Sequence, residues 1–261
     1  MAWGMFCWIP CPYKGWREED RRAQIAMLPL VGACIGAIVC LIWWVLTLIG
    51  AGAVITGALL TGAYFLMTGF IHLDGFMDCS DATLPRHTDM ATRVRILKDS
   101  HTGAFGVICL CLMLVLFAGA MIDVAPKFSL ANCSILVLVF TTSRFVSASM
   151  VLLCRPMATS QYAKPAADDS QEKTGRISET IPSLIILIII LGAAEWITAG
   201  GTWWCLIAEP YSNITCLVVL VAAYITGRLD RRMLGGMNGD ISGHMITTSE
   251  MFGVVAMALL I

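Results

Sequence analysis

The sequence predicts an all-α fold: a polytopic integral membrane bundle of about seven transmembrane helices, a single domain over residues 1–261, with its N-terminus in the cytoplasm. Three observations predict it. The chain is 58% hydrophobic and only 13% charged, whereas a soluble domain holds about 45–50% apolar and about 25% charged residues. Its mean hydropathy is +0.79. The charges that remain are spaced between long apolar runs. A water-soluble globule of this size could not hide so much apolar side chain. The same figures exclude a disordered or collagen-like chain, and a net charge of −1 gives no long-range attraction to nucleic acid.

Each span needs roughly 20 apolar residues. From Ile25 to Ile71 no residue is charged, which accommodates spans near 27–49 and 52–71 around the glycines at 50 and 52. Further spans are expected near 104–122, 129–154, 181–200, 212–226 and 245–261, with Trp203–Ala208 available to lengthen the short sixth. The basic residues test this count. The segment before the first span holds Lys14, Arg17, Arg21 and Arg22, and the first turn holds none. Loop 72–103 holds Arg86, Arg93, Arg95 and Lys98, and the next turn only Lys127. Loop 155–180 holds Arg155, Lys164, Lys173 and Arg176. The turn near Gly201 holds none, and segment 227–244 holds Arg228, Arg231 and Arg232. Fifteen basic residues thus fall on one side and one on the other, with Arg144 inside a span. The positive-inside rule makes the rich side cytoplasmic and places the C-terminus outside. The polar stretch 166–175 reads as a mobile loop.

The 11 cysteines show no paired C-x-x-C, and many lie inside apolar runs. They read as small hydrophobes in a reducing compartment. His72, His87, His101 and His244 are too scattered for a zinc pattern.

The chemistry concentrates after the second span, in His72-Leu73-Asp74-Gly75-Phe76-Met77-Asp78-Cys79-Ser80-Asp81. On a helix Asp74, Asp78 and Asp81 fall within roughly 60° of one another. Ionised carboxylates so placed repel, and a hard divalent cation, Mg²⁺, Mn²⁺ or Ca²⁺, removes that cost. A solvated acidic helix end is the plain alternative. The following stretch, with Arg93, Lys98, Asp99 and Ser100, has the basic character a diphosphate requires, though a positive-inside flank explains the basic residues equally. Gly103 and Gly106 open the third span, where backbone N–H groups could receive an anion. A second cluster is Gly235-Gly236-Met237-Asn238-Gly239-Asp240 with Gly243 and Glu250. Glu250 and Arg144 lie inside spans, where ionisable residues mark function or pair with each other. Glu195 and Glu209 read as surface residues. His72 is a candidate for acid–base or phosphate contact, or a bland interfacial residue. All these candidates fall on the cytoplasmic side, which suggests phosphoryl or phosphoalcohol transfer by positioning and charge neutralisation.

These residues also carry a resemblance. His-Leu-Asp-Gly-x-x-Asp-x-x-Asp at 72–81, Lys98-Asp99-Ser100-x-x-Gly103-x-x-Gly106, Gly235-Gly236-x-x-Gly239-Asp240-x-x-Gly243 with Glu250, and Leu28-Pro29-Leu30-Val31-Gly32 look like the cobalamin synthase family, the adenosylcobinamide-GDP ribazoletransferases. The similarity runs over nearly the whole chain. It implies a Mg²⁺-dependent transferase of the cell inner membrane that works at the cytoplasmic face. Adenosylcobinamide-GDP and α-ribazole, or its 5′-phosphate, would give adenosylcobalamin, or its 5′-phosphate, and GMP. It implies Mg²⁺ on Asp74, Asp78 and Asp81. Arg93, Lys98 and Arg144 would neutralise the diphosphate, with Asp99 and Ser100 beside them. Asn238, Asp240 and Glu250 would complete the metal or nucleotide site, and His72 or one of the aspartates would be the base. The chain departs from the family pattern at Ala82, where glycine is usual, at Asn238, where threonine is usual, and at Ala163-Lys164-Pro165-Ala166, where an Ala-Arg-x-x-Gly-Leu-like stretch is expected. Two rivals are a CDP-alcohol phosphatidyltransferase-like enzyme, whose Asp-x-x-Asp-Gly-x-x-Ala-Arg pattern is not met here, and a cation transporter, whose ligands belong at the midplane. A homo-oligomer remains open.

Overall fold

The computed structural model describes residues 1–11, 15, 20–86, 89–157, 160, 169–198 and 210–261, and all side chains among these except those of 169–176, 198 and 210. Lys14, Arg17, His87, the 163–166 stretch, Gly201, Trp203–Ala208 and Glu209 lie outside the described residues. The described residues form helices α1 (Ala2–Phe6), α2 (Arg21–Ala26), α3 (Leu28–Leu48), α4 (Ala53–Met67), α5 (Ile71–Thr83) and α6 (Met90–Leu97). They continue with α7 (Ala104–Val124), α8 (Leu130–Leu153), α9 (Asp169–Thr198), α10 (Pro210–Leu234) and α11 (Gly239–Leu260), and no strand is found among them. Six helices are long and apolar enough to cross a membrane: α3, α7, α8, and parts or all of α9, α10 and α11. This bears out the all-helical polytopic architecture.

The expected second span is where structure and sequence part. It divides into α4 and α5, which meet at 87° and make a seventh crossing only if counted together. The break is built by two consecutive residues in the left-handed region, Gly69 at φ +58° and Phe70 at φ +60°. Glycine tolerates this conformation; phenylalanine adopts it at a steric cost. A broken helix in an apolar surrounding frees backbone groups that must find partners. One is supplied from the start of the chain: the Trp8 N–H donates to the Met67 carbonyl at 2.7 Å. Phe6 and Cys7 are buried in the process.

Three other boundaries move. α9 is already helical at Asp169, so most of the stretch expected to be a mobile loop is helix. α10 runs to Leu234, eight residues past its expected end, because Arg228, Asp230, Arg231 and Arg232 extend the helix beyond its apolar part. α11 begins at Gly239 rather than near 245: Asn238 accepts a hydrogen bond from the Ile241 N–H at 3.0 Å, the side-chain cap that starts helices well.

α8 is the centre of the bundle. Of its apolar window 83% is buried, against 17% for α9, and it packs on α3, α9, α10 and α11. Its contact with α3 depends on Gly32 and Gly36, one turn apart. A Cβ at Gly36 would come within 2.9 Å of the Val137 Cα, and one at Gly32 would strike the Phe140 carbonyl. Small residues four apart let membrane helices approach closely. All ten described cysteines are free.

Candidate active site

The acidic residues that the sequence joined into one site fall into two polar constellations. The first is fully buried. Arg144 on α8 is 0% exposed and Glu250 on α11 is 1% exposed, and they form an ion pair. Tyr64 of α4 also donates to Glu250, and the Ser143 hydroxyl donates to it at 2.6 Å. The Arg144 guanidinium further donates to the Phe140 carbonyl at 3.0 Å. The Tyr64 ring stacks between Phe117 and Phe140. Arg144 and Glu250 are thus occupied with each other and shut from solvent. This is the mutual pairing that the sequence offered beside direct substrate contact, and it ties α4, α8 and α11 together.

The second constellation lies where α5 meets the start of α11. The crossing is close because both helices offer glycine. A Cβ at Gly75 would come within 2.7 Å of the Asp240 carbonyl oxygen, and one at Gly243 within 3.0 Å of the His72 carbonyl oxygen. Thr247 pins the crossing by donating to that same His72 carbonyl at 3.1 Å. Asp74 is exposed, while Asp78 and Asp240 are half-buried. Asp78 lies within electrostatic range of Asp74, Asp240 and Asp81, and Asp240 within range of Asp74. The Asp240 carboxylate accepts one hydrogen bond, from the Asn238 amide at 2.7 Å. Among the described residues the carboxylates of Asp74 and Asp78 have no hydrogen-bond or ion-pair partner.

Asp81 is placed differently. One carboxylate oxygen accepts from the Gly103 N–H at 2.8 Å and the other from the Gly106 N–H at 2.9 Å. The glycine N–H groups expected to receive an outside anion are therefore taken by a side chain of the protein, which holds the start of α7 against the end of α5.

His72 is buried beneath the N-terminal arm, its ring stacked on Phe6 at 6.3 Å. It stands two positions before Asp74 on the helix, a rotation of about 200°, so the two side chains leave α5 on opposite sides. Arg93 is half-buried and braces α6, donating to the Thr83 carbonyl at 2.8 Å. Lys98, Asp99 and Ser100 are exposed at the turn after α6. There the His101 ring, then its N–H, bonds Asp99 and holds its carboxyl below the usual range. Lys98, Asp99 and Arg95 line a shallow cavity of about 510 Å³. Glu195, expected at the surface, is half-buried and accepts from the Ser212 hydroxyl at 3.3 Å.

Sequence reasoning missed a cleft of about 470 Å³ lined by Arg155, Arg231, Arg232, Gly235 and Gly236. It lies on the turn leading to Asp240. That turn is tied to the end of α8 by paired backbone bonds: Met237 N–H to the Arg155 carbonyl, and Met157 N–H to the Met237 carbonyl, both 2.9 Å. The arginines had been counted only as topological charge; their convergence depends on this non-local pairing. Behind the cleft, toward α9, opens an apolar cavity of about 520 Å³ that shares Leu153, Cys154 and Arg231 with it.

The residues fit a hard divalent cation. Three carboxylates of two helices, Asp74, Asp78 and Asp240, lie within electrostatic range of one another, and among the described residues no basic side chain is bonded to any of them. Oxygen-only donors of this kind suit Mg²⁺ or Mn²⁺. Asp81, committed to two N–H groups, has less to offer a metal than Asp240.

Comparison with known proteins identifies the family. Residues 1–258 match the family described as cobalamin-5-phosphate synthase. An adenosylcobinamide-GDP ribazoletransferase of Clostridium perfringens strain 13 is 30% identical over all of this chain and 96% of its own length. Proteins of the same name from Lachnoclostridium phytofermentans and Ralstonia nicotianae are 26% and 29% identical over 99% and 93% of this chain, and over 92% and 87% of theirs. No solved structure matches the chain. The chain belongs to the cobalamin-5-phosphate synthase family and is a transferase.

Proposed function

We propose that this transferase joins adenosylcobinamide-GDP to α-ribazole, or its 5′-phosphate, with Mg²⁺ held by Asp74, Asp78 and Asp240, releasing GMP. The observation that carries this is the group of carboxylates at the α5–α11 crossing to which no basic side chain is bonded among the described residues. A cation bound there would neutralise the pyrophosphate and stabilise charge on the departing phosphate. The ribazole hydroxyl oxygen bonds to the phosphorus attached to cobinamide. The bond from that phosphorus to the bridging oxygen breaks, and GMP leaves with the electron pair. The hydroxyl proton passes to a carboxylate of the cluster, since His72 is closed off by Phe6. Arg155, Arg231 and Arg232 receive the remaining phosphate charge, which guanidinium groups bind in forked pairs.

Purified protein in detergent tests this reading: GMP release from adenosylcobinamide-GDP should require both α-ribazole and Mg²⁺, and should stop on chelation. Equal turnover after thorough chelation would overturn it, and CMP release from a CDP-alcohol would favour the phosphatidyltransferase alternative.

The site faces the cytoplasm of the inner membrane in this proposal, a reading supported by the distribution of basic residues. α4 and α5 together then count as one broken span. Reporter tags at the two termini should report opposite sides; matching signals would mean that the α4–α5 pair does not cross.

A further inference from the structure

On the side of α5 away from its aspartates, three side chains from three helices converge. They are Cys79 of α5, Asp230 of α10 and His244 of α11, whose ligand atoms lie within 4.8 Å of one another. The His244 Nδ1 is 2.7 Å from an Asp230 carboxylate oxygen. Cys79 is 0% and Asp230 3% exposed. Phe76 meets the His244 ring edge-on at 5.2 Å and covers it. No Lys or Arg is bonded to Asp230 among the described residues. We propose that Cys79, Asp230 and His244 form a second cation site, for a thiophilic divalent ion of the zinc class, separate from the carboxylate cluster.

Charge and donor chemistry carry the argument. A buried carboxylate is expensive unless its charge is matched. A dication with one thiolate, one carboxylate and one neutral imidazole is electroneutral, so the set can sit inside an apolar core. The thiol proton leaves to solvent as the ion binds. Sulfur and imidazole together select zinc-like ions over Mg²⁺. Ligand atoms around such an ion stand roughly 3–4 Å apart, so small side-chain rotations close this set. The ion would tie α5 to both α10 and α11. That fixes Asp78, the neighbour of Cys79, relative to Asp240. The competing state is an imidazolium–carboxylate pair beside a neutral thiol.

The test needs no substrate and no Mg²⁺, so it succeeds or fails independently of the function proposed above. Chelator-stripped protein in detergent is titrated with Co²⁺ as a spectroscopic stand-in for Zn²⁺. The expected result is one equivalent bound per chain with a thiolate-to-metal charge-transfer band. Zn²⁺ should displace it and Mg²⁺ should not. Cys79→Ser should remove the band, while Cys111→Ser, at an exposed position, should keep it. His244→Asn should weaken Co²⁺ binding at least about tenfold. Absence of the band in folded wild-type protein, or its persistence in Cys79→Ser, overturns the proposal. If Cys79→Ser does not fold, unchanged affinity in His244→Asn overturns it, and weakened affinity with the wild-type band supports it.

Discussion

Glu250 sits among three donors, Tyr64, Ser143 and Arg144, whereas Asp78 faces three other carboxylates. Both acids belong to the same packed bundle, and both are surprising in so apolar a chain. The first has been neutralised by its own protein. The second has been left for something else to neutralise. An ionisable residue among membrane helices is therefore not by itself a reactive one. What distinguishes architecture from chemistry is whether the protein has already supplied the counter-charge.

Mutations should separate the two groups. The largest effect is expected at the satisfied pair. Arg144→Met leaves a buried, unmatched Glu250 and should cost about 3–5 kcal/mol, read as a large fall in the thermal unfolding midpoint in detergent. Adding Glu250→Leu to Arg144→Met should recover most of that loss. Failure of the double variant to recover would mean that Arg144 serves more than Glu250. Asp78→Asn should act in the opposite sense. Turnover should fall on the order of 10²–10³-fold, the scale of losing one electrostatic stabiliser. Its unfolding midpoint should hold or rise, because a repelling charge has gone. Near-normal activity would remove Asp78 from the metal site. Asp81→Asn lies between the two. It weakens two hydrogen bonds to a charged acceptor and should cost about 1.5–3 kcal/mol, with activity falling in step with folded protein. A severe activity loss at full stability would return Asp81 to the metal.

Much of the frame was legible in the sequence. Hydropathy located the apolar helices because lipid imposes a length and a composition. Helical spacing put the aspartates on one face of α5 because that relation is local. The remainder is not local. Nothing in Met67-Thr68-Gly69-Phe70 distinguishes a left-handed phenylalanine from a continuing helix, so the 87° break was missed. Asp81 and the glycines 22 and 25 residues later were each noticed, but not that they satisfy each other. Cys79, Asp230 and His244 are separated by 151 and 14 residues, so His244, judged with the other histidines too scattered for zinc, meets Cys79 and Asp230 only once α5, α10 and α11 pack. Asn238, a departure from the usual threonine, is the mildest case. It caps α11, and threonine also caps well.

The Trp8 N–H that closes the break after α4 has a consequence for how the molecule is made. Its acceptor, the carbonyl of Met67, is synthesised nearly 60 residues later. Phe6, against which His72 stacks, waits longer still. The segment holding Phe6 and Trp8 must therefore remain unattached while α3 and α4 enter the bilayer, then fold back onto the joint between α4 and α5. Assembly runs against the order of translation at this point.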